Sequence, residues 1–501
     1  MAILNSLISW RLKKRFHQIE LFIKYPIEVQ EECLNTLLSK ARNTEWGRKY
    51  HFNEIDSYAD FKNRIPIQDY NSIKHDILRT QKGLSNIMWP SEIKWFAKSS
   101  GTTQDKSKFI PVSEDSLFDC HYKGGKDMLS VFCSWCPNTE VFTGKTIMMG
   151  GSSQINPHVK GGYTGDLSAI LISNLPYWVT RQQAPSKEII LMDNWEKKIE
   201  QMADRVIREN ITSISGVPSW TQVLFEKVLA KTNAQNLNEV WPNLELYMHG
   251  GVDFSPYKER FSELSPTLNY LETYNASEGF FGIQFEQNVS DFLLMLDYGI
   301  YYEFIPKEEW DNEFPNAISL SEVELGIHYA VVITTNAGLW RYQLGDTVEF
   351  TSLSPFRIRL TGRIKHFINA FGEELIIDNA MEAMKTACQK TNAVVNEWTV
   401  APCFRTSKNG GAHEWVIEFE QQPNNIEYFK HVLDNTLKVL NSDYEAKRFQ
   451  DLVLELPVIR IVKKKTFYNW LKSKNKLGGQ NKVPKLYNSR IYVEEVLKFS
   501  K

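Results

Sequence analysis

The feature that most constrains this 501-residue chain is a break in its hydrophobic texture near Thr361. Between Glu92 and Phe350, short β-like runs such as Thr146 to Met149, Leu244 to Met248 and Tyr329 to Thr334 alternate with helical stretches such as Pro218 to Lys231. Alternation of that kind specifies a layered α/β core. Pro218 suits a first helical turn, where its missing N–H leaves no bond unmade. After Thr361 the pattern restarts: Ile377, Ala380, Met381, Met384, Ala387 and Cys388 trace one helix face, and Val394 to Pro402 reads as a strand. Trp415, Ile417 and Phe419 then alternate with Glu414, Glu418 and Glu420, the pattern of a half-buried strand. A second amphipathic helix through Phe429, Leu433 and Leu437 and a strand Val458 to Val462 complete a small α+β unit.

The boundary falls near Gly362 to Phe371, which divides the chain into residues 1–365 and 366–501. Residues 1–90 read as a helical lead-in, with Leu34, Leu37, Leu38 and Ala41 at helical spacing. The expected architecture is therefore α/β: a large, multi-sheet N-terminal domain with a helical lead-in, followed by a small, mobile α+β C-terminal domain.

Composition narrows the function classes. Lys plus Arg is 58 and Asp plus Glu is 60, a net charge of −2, so no overall field favours nucleic acid or an anionic membrane. No apolar run reaches the ~18 residues of a membrane span. The six cysteines are sparse, and Cys133 with Cys136 is their one close pair, which points to a reducing cytoplasm and to no structural metal. The expectation is a cytoplasmic monomer or weak dimer without nucleic-acid or membrane partners.

Several segments carry chemistry-bearing residue types. Ser99, Ser100, Gly101, Thr102 and Thr103, flanked by Lys98, Lys106 and Lys108, combine small hydroxyls, a glycine and cations, which suits gripping phosphate; the same cluster also reads as a polar surface turn. Gly144-Lys145-Thr146 is not a Walker loop, because Thr139 stands where the first glycine belongs. Asn275 likewise replaces the first glycine of a nucleophile elbow around Ser277. Tyr274 to Glu278 sets an aromatic ring, a hydroxyl and a carboxylate within five residues, and Tyr342 to Asp346 ends a strand with a carboxylate after glycine. Thr361-Gly362-Arg363-Ile364-Lys365-His366 places cations at the boundary, and eight lysines without an acidic residue occupy 463–485.

The order of these segments resembles the adenylate-forming enzymes, and Ser99-Ser100-Gly101-Thr102, Tyr274-Asn275-Ala276-Ser277-Glu278 and Tyr342-Gln343-Leu344-Gly345-Asp346 resemble the auxin-responsive Gretchen Hagen family of acyl acid amido synthetases, particularly bacterial members. The resemblance spans about residues 30 to 490. It implies that Ser99, Ser100, Gly101, Thr102 and Thr103 hold the outer phosphates of ATP, that Gly250 and Gly251 form a backbone shelf beside adenine, and that Tyr274 stacks on it. It further implies that Ser277 contacts the α-phosphate, Glu278 holds Mg²⁺, and Asp346, assisted by Arg363, accepts the ribose hydroxyls. Gln480-Asn481-Lys482-Val483-Pro484 resembles the segment carrying the catalytic lysine and designates Lys482. Asn275 and His366 depart from the wider pattern.

The same resemblance implies an adenylating N-terminal domain and an ATP- and Mg²⁺-dependent ligase. A carboxylic acid would become an acyl-adenylate and then pass to an amine, an amino acid, with Lys482, Ser277 and Glu278 as catalytic residues. Rotation about the Gly362 to Phe371 hinge would withdraw Lys482 between the steps. Delivery to a thiol such as coenzyme A, or binding without turnover, are the competing readings. Aromatic residues between Tyr163 and Phe225, among them Tyr177, Trp178 and Trp220, are the expected acyl-pocket lining, with core packing as the competing reading.

Overall fold

The computed structural model describes residues 14–100, 107–151, 153–156, 158–251, 254–310, 312–363, 367–404, 410–448, 453–474 and 483–500. The lead-in is helical from Phe16–Lys24 through Pro26–Ala41 to Tyr70–Gln81. It is not a separate unit. Leu34, Leu37, Leu38 and Ala41 share one core with the sheet residues Phe281, Ile300 and Tyr302. The buried Gln30 fixes the docking, since its amide donates to the carbonyls of Leu296 and Ile300 at 2.9 and 3.0 Å and accepts from Tyr302 N at 2.9 Å.

A twelve-stranded mixed sheet forms the body of the large domain. Its parallel part runs through neighbours Gln183–Ala184, Lys145–Met148, Ile211–Ser215, Leu246–Gly250 and Asn269–Ala276. Ile211–Ser215 and Leu246–Gly250 are buried along almost their whole length, as strands covered on both faces are. Helix Pro218–Thr232 opens on its proline and packs Leu224, Phe225 and Val228 into that covering layer. The antiparallel part carries Tyr342–Leu353 beside Phe356–Arg363, in register so that Asp346 faces Arg363. A separate four-stranded sheet contains the hairpin Trp95–Ser100 with Ser107–Val112, whose connection is residues 101–106.

The small domain has the expected helix, strand, strand, helix, strand order: Ile377–Thr391, Val394–Phe404, Gly411–Gln421, Ile426–Leu440 and Val458–Val462. The ribbon Phe367–Ile368 with Leu375–Ile376 belongs to it, because Ile368, Phe371 and Leu375 sit in the core with Trp415 and Leu433. One expectation fails here. Gly411–Gln421 is not half-buried; it is buried through Phe419, because it is the central strand of three and is covered on both faces. Trp415, Ile417 and Phe419 meet the two long helices, while Val416 meets Phe467, Trp470 and Val493. The glutamates survive burial through partners. Glu414 pairs with Arg460 and Arg490, and Glu418 accepts from the backbone of Lys465 and Phe467. No helix among the described residues is long and apolar enough to cross a membrane.

Candidate active site

The carboxyl ends of the parallel strands open into one cavity of about 880 Å³ between the two domains. Met148, Ser215, Gly250 and Ala276 end their strands on its wall, together with the following Met149, Gly216, Gly251 and Ser277. This is where open α/β sheets bind ligands, since successive loops diverge there and backbone groups face outward. The small domain contributes Asn369, Gly372, Glu374, Asp443 and Lys447 to the lining.

Gly250 must be glycine. A Cβ there would stand 2.5 Å from the Thr273 carbonyl oxygen and 2.7 Å from Thr273 Oγ1. Gly251 adopts φ +83°, in the left-handed region that favours glycine. Its carbonyl accepts from the Asn369 amide of the small domain at 3.0 Å. Ser99, near the end of Trp95–Ser100, lines the cavity beside Lys98. The side chain of Ser100 and the whole of Gly101, Thr102 and Thr103 lie outside the described residues, as do Lys482, His366 and the side chain of Arg363.

Ser277 reaches the cavity wall, whereas Glu278, half-buried on the turn to Gly279–Ile283, is not among the lining residues. Tyr274 and Asp346 lie behind the wall, at 5% and 7% exposure, with the Tyr274 hydroxyl donating to Asp346 Oδ2 at 2.9 Å. The ring expected to stack on adenine instead packs against Phe281 and Phe292, with centroids 4.9 and 6.2 Å away. No described residue beyond Val453 lines the cavity. Val483, next to Lys482, packs with Ala401, Val416 and Trp470.

One part of the wall is apolar: Tyr122, Met128, Met148, Leu171, Ile172 and Phe280. His121 and His249 stand among the lining residues and are buried, and burial pushes their imidazoles down to about 4 and about 3, so both are neutral near pH 7. Trp220 lines the cavity, and its indole lies under Lys447 Nζ at 4.1 Å. Tyr177 is 72% exposed and does not line it, and the side chain of Trp178 lies outside the described residues.

Sequence reasoning missed most of the cavity's charge. Lys198, buried in the helix Trp195–Val206, donates to the Gly150 carbonyl at 2.6 Å, and burial lowers it to about 8 against the pull of Asp166 and Asp193. Asp443 and Lys447 come from the short helix Ser442–Lys447, and nothing in its polar sequence distinguishes it from a solvated helix. Asn369 and Glu374 lie in or beside the hinge segment read from the sequence, where only their proximity to Gly362 could have singled them out.

The family model described as the GH3 family N-terminal domain matches residues 15–270, the GH3 family central domain matches 293–363, and the GH3 family C-terminal domain matches 378–491. An indole-3-acetic acid-amido synthetase, GH3.4 of Arabidopsis thaliana, is 24% identical over 547 residues, covering 93% of this chain and 90% of its own length. A jasmonoyl–L-amino acid synthetase, JAR4 of Nicotiana attenuata, is 25% identical over 66% of this chain and 68% of its own. In fold, the chain is similar to an acyl acid amido synthetase, AtGH3.15, in complex with 2,4-DB, with TM-score 0.59, 16% identity, and coverage of 95% and 94% of the two chains. It is also similar to a 2-hydroxyisobutyryl-CoA ligase in its thioesterification state, with TM-score 0.54, 12% identity, and coverage of 95% and 92%.

Proposed function

This chain belongs to the GH3 family, and on that premise we propose that it activates a carboxylic acid with ATP as an acyl-adenylate and transfers the acyl group to an amino acid, forming an amide. The observation that carries this reading is the convergence of Ser99, Gly250, Gly251 and Ser277 on one cavity at the carboxyl ends of the parallel strands, closed by the small domain. The named relatives, an indole-3-acetic acid-amido synthetase and a jasmonoyl–L-amino acid synthetase, join acids to amino acids.

In this reading Ser99, with Ser100, Gly101, Thr102 and Thr103 of the same hairpin, grips the outer phosphates, and Ser277 donates to the α-phosphate. Asp346, held by Tyr274 and facing Arg363 across the sheet, accepts from the ribose hydroxyls. The apolar wall around Met128, Leu171 and Phe280 takes the body of the acid. Glu278 would hold Mg²⁺. A single hard carboxylate beside Ser277, with no cage of three acidic, His or Cys side chains among the described residues, fits a cation that keeps phosphate oxygens and waters as its other ligands. When bound, the cation supplies charge neutralisation on the phosphates.

Lys482 bridges carboxylate and α-phosphate as negative charge builds between them, a stabilisation realised in the transition state. Its neighbour Val483 sits away from the cavity, so a rotation of the small domain connects the arrangement seen here to the adenylating one. The protein works in the cytoplasm as a monomer or weak dimer, a placement supported by the sparseness of its six cysteines.

A panel of carboxylic acids in ATP–pyrophosphate exchange, followed by amino acids and thiols with the best acid, tests the reading. Acid-dependent exchange and an amide product are the expected result. A thioester product in place of the amide would reassign the acceptor.

A further inference from the structure

The helix Ser442–Lys447 is unused by the proposed adenylating machinery, yet it is capped and anchored within the small domain. Asn441 caps it by accepting from Tyr444 N at 2.8 Å, and the same side chain donates to the carbonyls of Glu373 and Glu374 at 3.0 and 3.1 Å. Tyr444 and the following Arg448 point inward to Asp434. Asp443 and Lys447, one turn apart, line the cavity.

Lys447 is 6% exposed, and its ammonium makes no hydrogen bond or ion pair with a described residue. Its contact is the Trp220 ring of the large domain. Burial disfavours this ammonium, the charges of Asp443, Asp166, Glu373 and Glu374 favour it, and over an indole face on the cavity wall it remains able to take an anion. Gly372 keeps that place clear: a Cβ there would stand 3.1 Å from Lys447 Cε.

We propose that Asp443 and Lys447 form the acceptor subsite, in which Lys447 pairs with the carboxylate of an incoming α-amino acid and Asp443 removes a proton from its ammonium group. This rests on the ligase reading. An α-amino acid carries opposite charges on neighbouring groups, and a carboxylate and an ammonium one helical turn apart present the complementary pair. A simple amine engages only Asp443. The subsite lines the same cavity as the strand-end residues Gly250 and Ser277, so an acceptor seated on it shares that cavity with the acyl-adenylate of the proposed reaction.

An ammonium has no lone pair and cannot attack. Asp443 takes one proton, the freed nitrogen pair forms the C–N bond, and the acyl C–O bond breaks with its electron pair leaving on the phosphate of AMP. The second N–H proton passes to that phosphate. Burial, and then the charge of Glu374, pushes Asp443 up to about 7, where a general base is effective near neutral pH. Asp166 adds to the rise, and Lys447 and Lys98 oppose it.

The test is single-turnover amide formation from enzyme-bound acyl-adenylate, followed across pH with an amino acid and with its carboxamide. Wild type is expected to show an acid limb near pH 7, and Asp443→Asn to fall about 100-fold and lose that limb. Asp443→Ser makes the same comparison without the isosteric amide, and Asp443→Glu recovers part of the rate. Wild type is expected to prefer the amino acid to its carboxamide about tenfold or more, and Lys447→Gln to erase that preference. Wild-type rate and pH profile in both D443N and D443S, or a retained preference in K447Q, would overturn the subsite. Absence of pyrophosphate exchange by wild type with every acid would instead overturn the ligase reading on which it stands.

Discussion

The Asn369 amide donates to the Gly251 carbonyl at 3.0 Å, tying the segment after the domain boundary to the glycine pair that ends strand Leu246–Gly250. The Tyr257 hydroxyl adds a second tie, donating to the Ala370 carbonyl at 2.9 Å. Both bonds hold the arrangement in which Asp443 and Lys447 face the cavity and Val483 does not. In the proposed reading that arrangement suits the acyl-transfer step.

Removing one tie shifts the balance between domain arrangements. A neutral hydrogen bond contributes about 0.5–1.5 kcal/mol, or about two- to twelve-fold in population. Asn369→Ala should therefore slow acyl transfer several-fold relative to adenylation in rapid-quench measurements. An unaltered ratio would mean that this contact does not select the arrangement.

In the proposed reading, Tyr274 and Asp346 act as one unit in nucleotide binding. The hydroxyl donates to a buried carboxylate, a bond of about 1.5–3 kcal/mol, and fixes the direction in which Asp346 presents its other oxygen. Tyr274→Phe is expected to weaken ATP binding about tenfold in calorimetry, Asp346→Ala to weaken it further, and the double variant to match Asp346→Ala alone. Additive losses would separate the two roles.

Much of this fold was legible in the sequence because its strands advertise their burial. Leu244 to Met248 reads as a compact run, and strand Leu246–Gly250 stands there, since a covered parallel strand needs apolar side chains on both faces. The half-buried reading of Gly411–Gln421 fails for the opposite reason. Glu414 and Glu418 alternate as solvent-facing residues do, but arginines and backbone amides from later in the chain satisfy them inside. Within the site, Gly250 and Ser277 were legible through the resemblance of their segments to a known family, and both stand at strand ends on the cavity wall. Asp443 and Lys447 were not. A carboxylate and an ammonium one turn apart look the same facing water or a cavity, and only the docking of two domains decides which.

Gly250 should tolerate no side chain. The Thr273 carbonyl oxygen that a Cβ would meet at 2.5 Å is backbone, and Thr273 Oγ1 is itself held by donating to the His249 carbonyl at 3.1 Å, so neither can swing aside. Gly250→Ala is expected to displace the strand end and lower pyrophosphate exchange at least about tenfold, with thermal melting reduced by a few degrees. Normal exchange would show that the wall has slack.

Lys482→Ala should abolish carboxylate-dependent pyrophosphate exchange, by about 100-fold or more, while ATP still binds in calorimetry. The segment carrying it holds other lysines, among them Lys485, which donates to Glu397 and which burial lowers to about 8. Exchange that survives in K482A and disappears in K485A would transfer the role.

Asp434 links acid stability to the acceptor subsite. It is 1% exposed and receives Arg448 at 2.6 Å, Tyr444 at 2.8 Å and Lys438 at 2.6 Å. Burial alone would push its carboxyl up; hydrogen bonds from Arg448 and then Lys438 outweigh it and hold the carboxyl below its ordinary value. A depressed carboxyl stabilises the fold fully above its unfolded value of about 3.9 and loses that contribution as pH falls toward the folded one. The small domain of wild type should therefore lose urea resistance as pH drops below about 4. Asp434→Asn, which leaves Arg448 buried without its anion, should cost about 3–5 kcal/mol at neutral pH and flatten this acid dependence. Because Tyr444 lies within the helix that carries Asp443 and Lys447 and Arg448 follows it, the same variant should lower amide formation more than pyrophosphate exchange. Equal losses in the two assays would mean that Asp434 stabilises the domain without positioning its cavity-facing residues.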